Sequence, residues 1–425
     1  MGIVMALAFL TLFLLGFPVV YSILLPSVVY VLIEGLPLAL LAQRVTYALD
    51  SFPLVAVPIF IYAGVLMNLA GVAEKIFNFA NVLVGRLPGG LAQVNIFASL
   101  IFAGMSGASL AVIGGLGRIQ IPAMQERGFK LPFSSALVVS SSIVGPIFPP
   151  SIPLVVYGTV ASVSIVQLLI SGIMPALICV AFLMITVYII ALKQDLPRSE
   201  RSPTLMEIFT ALMPAVPALL APVLMVGGMV VGLFTPTEAA SVTVVYIILI
   251  SHFYYHELTL SHLWRSTILT VRSTASILII VAAAALYGWI LAVEQVPQDF
   301  AALILGGEAK NPITLLLIAN LIYIIVGMFL DSTTATLLVV PIVAPPLVAA
   351  GIDPVHLGIM TIFNIMIGII TPPMGLALFL IRNITGVAMK DLLLALLPFY
   401  IPLLATLAVI TFCPGLILWL PSMLR

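Results

Sequence analysis

The sequence predicts an all-α polytopic membrane protein built from two structural repeats. Each repeat is expected to hold a re-entrant helical hairpin followed by a broken transmembrane helix. Three observations give this prediction. The 425 residues are 63% hydrophobic and 7% charged, which no soluble globular domain matches. Two long apolar runs are each interrupted by a pair of adjacent prolines, and the same landmarks recur at a nearly constant offset.

The first interruption is Gly145–Ser151, inside an apolar run at about residues 131–158. Adjacent prolines forbid a continuous helix there, because each lacks a backbone N–H and clashes with the carbonyl four residues earlier. Unwound backbone at membrane depth is tolerated where it lines a cavity or is buried in protein. Its free carbonyls suit a cation, and the N-terminus of the next half-helix suits an anion. The alternative is a proline-kinked helix without a ligand, since proline is common in membrane helices.

A second interruption of the same kind lies at Ile369–Gly375, in an apolar run at about residues 355–382. Pro149 and Pro372 are 223 residues apart, and the polar positions Ser106 and Asp331 are 225 residues apart. Two broken helices at matched positions indicate the binding site of a secondary transporter. The offsets alone do not separate parallel from inverted repeats, which need an odd number of crossings each. We expect inverted repeats.

The predicted repeats cover residues 1–192 and 205–425, joined by a polar connector at 193–204. Scaffold helices begin each repeat, and the hairpins follow at about 89–124 and 311–350. This connector is the most polar one in the chain, and its Lys193, Arg198 and Arg201 predict that it lies on the cytoplasmic side. Three simpler segments are also predicted: one helix at about 3–33 bent near Pro18, an uninterrupted helix at about 163–192, and a polar loop at 298–311.

Polar residues inside the apolar segments are the candidates for function. The tip around Ser106, Gly107 and Ser109 offers hydroxyl and carbonyl oxygens, which hard cations such as sodium prefer; small residues there also permit close helix packing. Asp331 is a carboxylate within a membrane segment, which is costly and indicates a functional position. It could ligate a cation, carry a proton or lie at the mouth of the hairpin.

Two further charged residues have simpler interpretations beside their functional ones. Glu238 follows Thr235 at the spacing of a capping box, and we expect it to cap its helix. Arg118, in the second limb of the first hairpin, could face an anionic substrate. The alternative, which we favour, is that its long side chain snorkels to the membrane interface.

The composition also argues against several classes of function. Formal net charge is zero, so nucleic acid is not an expected partner. No Walker A motif is present, so ATP is not expected to drive the protein.

Cys179 and Cys413 lie in apolar runs and are interpreted as core residues. The cluster of His252, His256 and His262 lies beside tyrosines and a tryptophan, which indicates a membrane interface rather than a metal site. We expect no organic cofactor, no metal besides sodium, and no enzymatic activity. The apolar N-terminal run lacks a basic leader and is expected to stay as a helix.

Several of these segments together resemble one known family. They are Ser51–Asn68, Ser106-Gly107, Gly145–Gly158, Gly232–Ala240 and Thr371–Gly375. In them the chain is similar to the large membrane (M) subunit of a tripartite ATP-independent periplasmic (TRAP) transporter, within the ion transporter superfamily. The resemblance covers essentially the whole chain, and the Pro-Pro-Ser and Thr-Pro-Pro contexts are its most specific parts.

The resemblance implies an elevator-type sodium symporter in the bacterial inner membrane. In such a transporter a mobile domain of hairpins and broken helices moves against a scaffold. The scaffold binds a small membrane (Q) subunit, and a periplasmic substrate-binding (P) protein delivers a small organic acid. The family often has Ser-Gly-Ser and then an acidic residue at the first hairpin. Ala108 and Val112 stand there in this sequence, and Arg118 adds a cation, so a different substrate class is expected.

The resemblance also implies three sets of site residues. The first sodium site would comprise Ser106, Gly107, Ser109, Gly145, Pro149 and Ser151. The second sodium site would comprise Gly327, Asp331, Thr334, Gly368, Thr371 and Met374. The substrate would contact Ser106, Ser109, Ser332 and Thr333, and Arg118, which departs from the family pattern, is a further candidate contact because of its charge.

Two other functions fit the same sequence. The nearer is a sodium/carboxylate symporter of the same superfamily that works without a binding protein. The more distant is an intramembrane serine protease, which would need a serine and a histidine that meet within the membrane. A periplasmic binding protein encoded beside this chain would favour the tripartite transporter over the first of these.

Overall fold

The computed structural model describes residues 1–194, 196–197, 204–305 and 311–423. This part of the chain consists of α-helices with one short 3₁₀ helix, one π turn and no β-strand. Eight of its helical stretches are long and apolar enough to cross a membrane. The prediction of an all-α polytopic protein is therefore confirmed. Most of the predicted connector at 193–204 lies outside the described residues.

The first half begins with five α-helices and a short 3₁₀ helix, which precede a hairpin and a broken helix. They are α1 (Gly2–Leu14), α2 (Val19–Ile33), α3 (Ala39–Leu49), the 3₁₀ helix Phe52–Val55, α4 (Ala56–Leu69) and α5 (Val72–Val84). The hairpin consists of α6 (Leu91–Ser106) and α7 (Ser109–Glu126), and the broken helix of α8 (Leu131–Ser142) and α9 (Ile152–Ala161). The half ends with α10 (Ile165–Ser171) and α11 (Ile173–Gln194).

The second half has the same order of features. Its first helices are α12 (Leu205–Val230), α13 (Pro236–Leu249), the π turn Ile250–Tyr254, α14 (Leu260–Val293) and α15 (Val296–Leu305). The hairpin consists of α16 (Pro312–Phe329) and α17 (Ser332–Ala349), and the broken helix of α18 (Pro354–Ile369) and α19 (Leu376–Thr385). The last helices are α20 (Met389–Phe412) and α21 (Pro414–Ser422).

The three simpler segments differ from their predictions. The expected single helix at 3–33 is two helices, α1 and α2, which pack against each other across a break at Gly16. The expected helix at 163–192 is divided between α10 and α11 at Gly172. A Cβ atom at Gly172 would collide with the carbonyl of Ile147, so the glycine lets this chain segment approach the first unwound segment. Part of the expected loop at 298–311 belongs to α15, and residues 306–310 lie outside the described part.

Carboxylates accept hydrogen bonds at two helix ends, and the sequence predicted one of these arrangements. The Thr235–Glu238 pair forms a capping box at the start of α13, so the capping interpretation of Glu238 is confirmed. Glu294, just past the end of α14, accepts the Tyr30 hydroxyl at 2.7 Å and the backbone N–H of Gly2 at 3.0 Å. The hydrogen bond from the Tyr30 hydroxyl is the largest of the effects that hold the pKa of the Glu294 carboxyl below its usual range.

The two half-helices that precede the interruptions lie at the centre of the molecule. Every residue from Val355 to Ile369 of α18 is buried, and so is every residue of α8 from Ser134 to Ser142. Each hairpin also packs on a helix of the other half of the chain: α7 packs on α19, and α17 packs on α9. The second limb of each hairpin therefore contacts the half-helix that follows the interruption in the other half of the chain.

Candidate functional site

The first unwound segment, residues 143–151, connects α8 to α9 in the interior of the protein. Pro149 and Pro150 are both buried, and the peptide bond between them is cis. The segment keeps some turn structure, since the N–H of Phe148 donates to the carbonyl of Val144 at 2.9 Å. Among the described residues, no hydrogen bond ends on the carbonyl oxygens of Phe148, Pro149 or Pro150. Buried carbonyls of this kind are candidate ligands for a cation.

Ser151 closes this segment at the start of α9. Its hydroxyl accepts the N–H of Leu154 at 3.2 Å and donates to the carbonyl of Pro146. The side chain thus caps α9 and also joins the end of the unwound segment to Pro146 near its middle. Both bonds are to backbone groups within five residues of Ser151, so the local structure alone explains a serine at this position.

The tip of the first hairpin lies directly against the unwound segment. Gly107 has a left-handed conformation with φ of +60°. A Cβ atom there would lie 2.5 Å from the carbonyl oxygen of Pro150, so a larger residue would push the tip away. Gly145 lies on the other side of the tip, where a Cβ would be 3.5 Å from the carbonyl carbon of Ala108. The structure therefore brings Gly107, Gly145 and the Pro-Pro pair together.

Ser109 is buried beside this contact, at the first turn of α7. Its Oγ lies 2.7 Å from Oγ of Ser142, which itself lies 2.7 Å from the carbonyl oxygen of Val139. Because the Ser142 hydroxyl donates its one proton to that carbonyl, Ser109 is the donor in the serine pair. The lone pairs of Ser109 then remain available for a cation or a polar ligand. The Ser106 side chain lies outside the described part of the structure.

The second unwound segment, residues 370–375, also contacts the hairpin of its own half. The N–H of Gly375 donates to the carbonyl of Met328, near the end of α16, at 2.9 Å. The Tyr400 hydroxyl holds the carbonyl of Ile370 at 2.6 Å, and the Thr371 hydroxyl holds that of Ile367 at 2.7 Å. No hydrogen bond of the described residues ends on the carbonyls of Thr371, Pro372 or Pro373.

The two segments differ in exposure. Pro149 and Pro150 are buried, whereas Pro372, Pro373 and Met374 are exposed, and Met374 has 42% of its surface accessible. The predicted second segment therefore lies at the surface of this chain, whereas the first is buried. The Pro372–Pro373 bond is cis, as in the first segment.

Asp331 is the N-cap residue of α17. One carboxylate oxygen accepts the N–H groups of Thr333 and Thr334, at 3.0 and 3.2 Å, and the other accepts the Thr334 hydroxyl. A carboxylate has about four acceptor positions, so three are used within the tip itself. Asp331 is half-buried. This geometry fits a residue that shapes the tip and adds negative charge beside the second segment.

Gly327 and Gly368 meet where α16 crosses α18. A Cβ at Gly368 would lie 2.5 Å from the Ile324 oxygen and 2.6 Å from the Gly327 Cα. A Cβ at Gly327 would lie 2.5 Å from the carbonyl oxygen of Ile365. Both glycines are therefore needed for backbone contact between the hairpin and the broken helix. Of the second set of predicted residues, Gly327 and Gly368 are therefore in contact with each other, and both have a packing role.

Arg118 lies apart from the other predicted substrate contacts. It is nine residues from Ser109 along α7, which at 1.5 Å per residue is about 13 Å. Its exposed side chain lines a cleft of about 480 Å³ between α7, α19 and the start of α8, together with Gln125 and Asn383. Ser332 is half-buried and Thr333 buried at the other hairpin tip. The structure does not bring Arg118 to either tip.

Two buried amide clusters, which sequence reasoning missed, join each hairpin to its broken helix. In the first half Asn95 of α6 accepts the Ser141 hydroxyl at 2.9 Å and donates to Gln120 of α7. In the second half Asn364 of α18 donates to Asn320 of α16 at 2.8 Å. Asn95 and Asn320 are 225 residues apart, the same offset as Ser106 and Asp331. An asparagine at matched positions in two apolar runs is the sequence feature from which these clusters could have been predicted.

The histidines do not form a site with a serine in the described part of the chain. His356 is buried and contacts the carbonyl of Ile410 at 2.7 Å, and His262 contacts the carbonyl of Glu257 at 3.1 Å. Both contacts use backbone oxygens. No serine–histidine hydrogen bond of the kind a serine protease uses is present among these residues.

Comparison with solved structures supports the fold. The chain is similar to the YdaH transporter of Alcanivorax borkumensis, whose crystal structure was described as having an unusual topology. The TM-score is 0.59 at 17% sequence identity, and the match covers 88% of this chain and 87% of that one. At this identity the likeness concerns the arrangement of helices alone.

Comparison with known sequences shows the family. The chain is 40% identical to the sialic acid TRAP transporter large permease protein SiaM of Vibrio cholerae, over 96% of this chain and 95% of that protein. It is 38% identical to the sialic acid TRAP transporter permease protein SiaT of Haemophilus influenzae, over 98% of this chain and 68% of that protein. These relatives are transporter permeases. Residues 6–416 match the family described as the DctM component of the tripartite ATP-independent periplasmic transporter. The chain therefore belongs to the DctM family of TRAP transporter large permeases and is a multi-pass protein of the bacterial inner membrane.

Proposed function

We propose that this chain carries out sodium-coupled uptake of a small organic acid, which a periplasmic substrate-binding protein delivers and a small membrane subunit helps to translocate. The observation that carries the proposal is the pair of unwound segments, each in contact with the hairpin of its own half. Each segment offers backbone carbonyls that accept no hydrogen bond within the described residues. Sodium is the hard, oxygen-seeking ion that such a set would bind.

The first sodium site is proposed between the first hairpin tip and residues 145–151. The carbonyls of Pro149 and Pro150 and the free lone pairs of Ser109 supply oxygens on two sides. Gly107 and Gly145 allow the tip to approach these oxygens. Ser151 holds the segment in shape through its two backbone bonds.

The second sodium site is proposed between the Asp331 tip and residues 368–375. The carbonyls of Thr371 and Pro372 are its candidate ligands, while Asp331 supplies negative charge from the tip. Thr334 is bound to Asp331 and positions that carboxylate. Because three acceptor positions of the carboxylate are already used, its proposed role is electrostatic support rather than direct ligation.

The substrate is proposed to bind between the two hairpin tips, on hydroxyls of Ser109, Ser332 and Thr333. The two relatives named above are permeases for sialic acid, a sugar acid with one carboxylate. Sialic acid is therefore the first substrate to test, followed by C4-dicarboxylates, for which a 35% identical large permease of Pseudomonas aeruginosa is named. Arg118 would meet an anionic substrate only along the cleft beside α19, as a contact on the route to or from the tips.

An elevator movement is proposed because the two hairpins and two broken helices are interlocked. α7 packs on α19 and α17 on α9, so neither hairpin can move far without carrying the other half. The amide clusters add hydrogen bonds between each hairpin and its own broken helix. These contacts support a mobile unit that crosses the membrane as one body.

Reconstitution tests the function directly. The chain, its small membrane subunit and the binding protein are placed in proteoliposomes, and uptake of labelled sialic acid is measured with and without a sodium gradient. We expect uptake only with sodium and all three components. With two sodium ions per monoanion, one net charge crosses, so an inside-negative potential of 100 mV adds about 2.3 kcal/mol of driving force.

The alternatives give different results in the same vesicles. Strong uptake by the chain without either partner would favour the binding-protein-independent symporter. Uptake driven by a proton gradient in the absence of sodium would contradict sodium coupling. Uptake of a C4-dicarboxylate but not sialic acid would leave the coupling proposal intact and replace the substrate.

A further inference from the structure

A second cleft, separate from the unwound segments, lies between α3, α9, α14 and α17. Its volume is about 530 Å³. The floor is apolar, with Val156, Val281 and Leu337 among its residues. The rim is polar and is formed mainly by α3, which has no buried residue of its own. A cleft with an apolar floor and a charged rim fits an amphipathic ligand better than a small hydrophilic acid.

Arg44 is the cation of this rim. Its guanidinium carbon lies 4.7 Å from the centre of the Trp289 ring, in a cation–π contact. The ion pairs recorded among the described residues join other groups, so Arg44 has no carboxylate partner there. Stacking on an aromatic face leaves the planar N–H groups of arginine free, and their spacing matches the oxygens of a phosphate.

Asp50 is the anion of the same rim. It is exposed and lines the cleft six residues after Arg44, yet it does not form an ion pair with it. An unpaired cation and an unpaired anion at one rim are complementary to a ligand that carries both charges. A purely anionic ligand would satisfy Arg44 but be repelled by Asp50.

Two aromatic side chains at the rim indicate that the cleft opens at the depth of lipid headgroups. Trp289 lies one turn before the end of α14, and Tyr47 of α3 is 79% exposed beside the rim. Tryptophan and tyrosine are enriched at membrane–water interfaces, where one end of the side chain is apolar and the other hydrated. A headgroup at the rim could therefore place an acyl chain on the apolar floor.

We propose that this cleft is a binding site for phosphatidylethanolamine, with the phosphate on Arg44, the ammonium on Asp50 and an acyl chain along the floor. The ammonium of this lipid donates hydrogen bonds to a carboxylate, which the quaternary ammonium of phosphatidylcholine cannot do. Phosphatidylglycerol carries the phosphate without a cation. Both comparison lipids keep the phosphate and lack a donating ammonium, so they test recognition by Asp50, whereas Arg44→Ala tests recognition of the phosphate. The site is independent of the sodium and substrate sites.

The test measures lipid binding without transport. The full chain is purified in detergent, delipidated and titrated with each of the three lipids, and bound lipid is counted by native mass spectrometry. We expect phosphatidylethanolamine to bind at least about tenfold more tightly than phosphatidylcholine or phosphatidylglycerol, as one charge-assisted hydrogen bond would give. Arg44→Ala should remove this binding, and Asp50→Asn should bring phosphatidylethanolamine down to the level of the other two.

Matched controls keep the result interpretable. Arg265→Ala changes an exposed arginine at the other end of α14, beside Trp264, and should leave lipid binding unchanged. If Arg44→Ala does not fold, Arg44→Lys keeps the charge but loses the planar donors, and should weaken binding by severalfold. Equal binding of all three lipids, unchanged binding in Asp50→Asn, or displacement of the lipid by a free organic acid would each overturn the proposal.

Discussion

Gly368→Ala tests the close contact between the second hairpin and its broken helix. The added methyl group would lie 2.5 Å from the Ile324 oxygen and 2.6 Å from the Gly327 Cα. These are backbone atoms, so no side-chain rotation can relieve the contact. Either α16 or α18 must move. Because every residue of α18 from Val355 to Ile369 is buried, that movement disturbs the centre of the protein.

The size of the effect follows from two opposing terms. Overpacking a filled interior costs typically 1 to 3 kcal/mol, and a backbone contact belongs near ~3 kcal/mol. Replacing a helical glycine by alanine stabilises the helix by about 1 kcal/mol through helix propensity. The expected net loss is about 2 kcal/mol, or roughly thirtyfold in the folding equilibrium. Gly114→Ala in α7 is the matched control, since nothing lies within 4 Å of its Cβ position, and it should be neutral or stabilising.

Thermal unfolding in detergent, followed by helical circular dichroism, measures both variants with and without sodium. We expect Gly368→Ala to unfold at a lower temperature than Gly114→Ala under both conditions. If Gly368→Ala unfolds with the wild type, the helices do not cross as closely as the structure has them. If its deficit appears only with sodium, the residue acts through the ion rather than through packing.

Three further predictions concern single features. Asp331→Asn keeps an N-cap acceptor and should cost less than about 1 kcal/mol of stability, while uptake should need more sodium; an unchanged sodium response would make the charge irrelevant. Replacing Pro149 and Pro150 together with alanine should let the helix close, so that sodium affinity falls sharply while expression persists. Pro122→Ala in α7 is its control, and equal sodium curves for the two variants would show the Pro-Pro pair to be only a kink. Glu294 has a lowered pKa, so its stabilising contribution is present at neutral pH and lost as pH falls through that pKa. The unfolding temperatures of wild type and Glu294→Gln should therefore converge in acid. A difference that stays constant with pH would contradict the hydrogen bonds assigned to Glu294.

The interruptions could be predicted from the sequence because proline acts locally. Pro149-Pro150 and Pro372-Pro373 remove N–H donors wherever they stand, so no tertiary contact can restore a continuous helix. Glycine and polar residues divide otherwise apolar runs, which indicated the breaks between α6 and α7 and between α16 and α17. Capping by Glu238 followed from a three-residue spacing. Each of these features depends on neighbours along the chain.

The rest could not be predicted because it depends on contacts between distant segments. Gly172 looks like any helical glycine until the carbonyl of Ile147 is placed against it. Gly327 and Gly368 allow two helix backbones to touch where the helices cross, and this role is visible only once both helices are placed. Arg118 was grouped with Ser109 because both lie on one hairpin, but helical rise separates them. A hydrophobic pattern gives the length of a helix and not the neighbour that it meets.

The buried amides link these observations to movement. A polar side chain inside a membrane protein is costly unless it is bonded, and Asn95 and Asn320 each bond to the helix before an interruption. Separating a hairpin from its broken helix would leave several amide groups without partners in an apolar medium. Sliding both together leaves these bonds intact and changes only contacts with the surrounding helices. In the proposed elevator movement each hairpin, its unwound segment and the oxygens between them would therefore move as one unit.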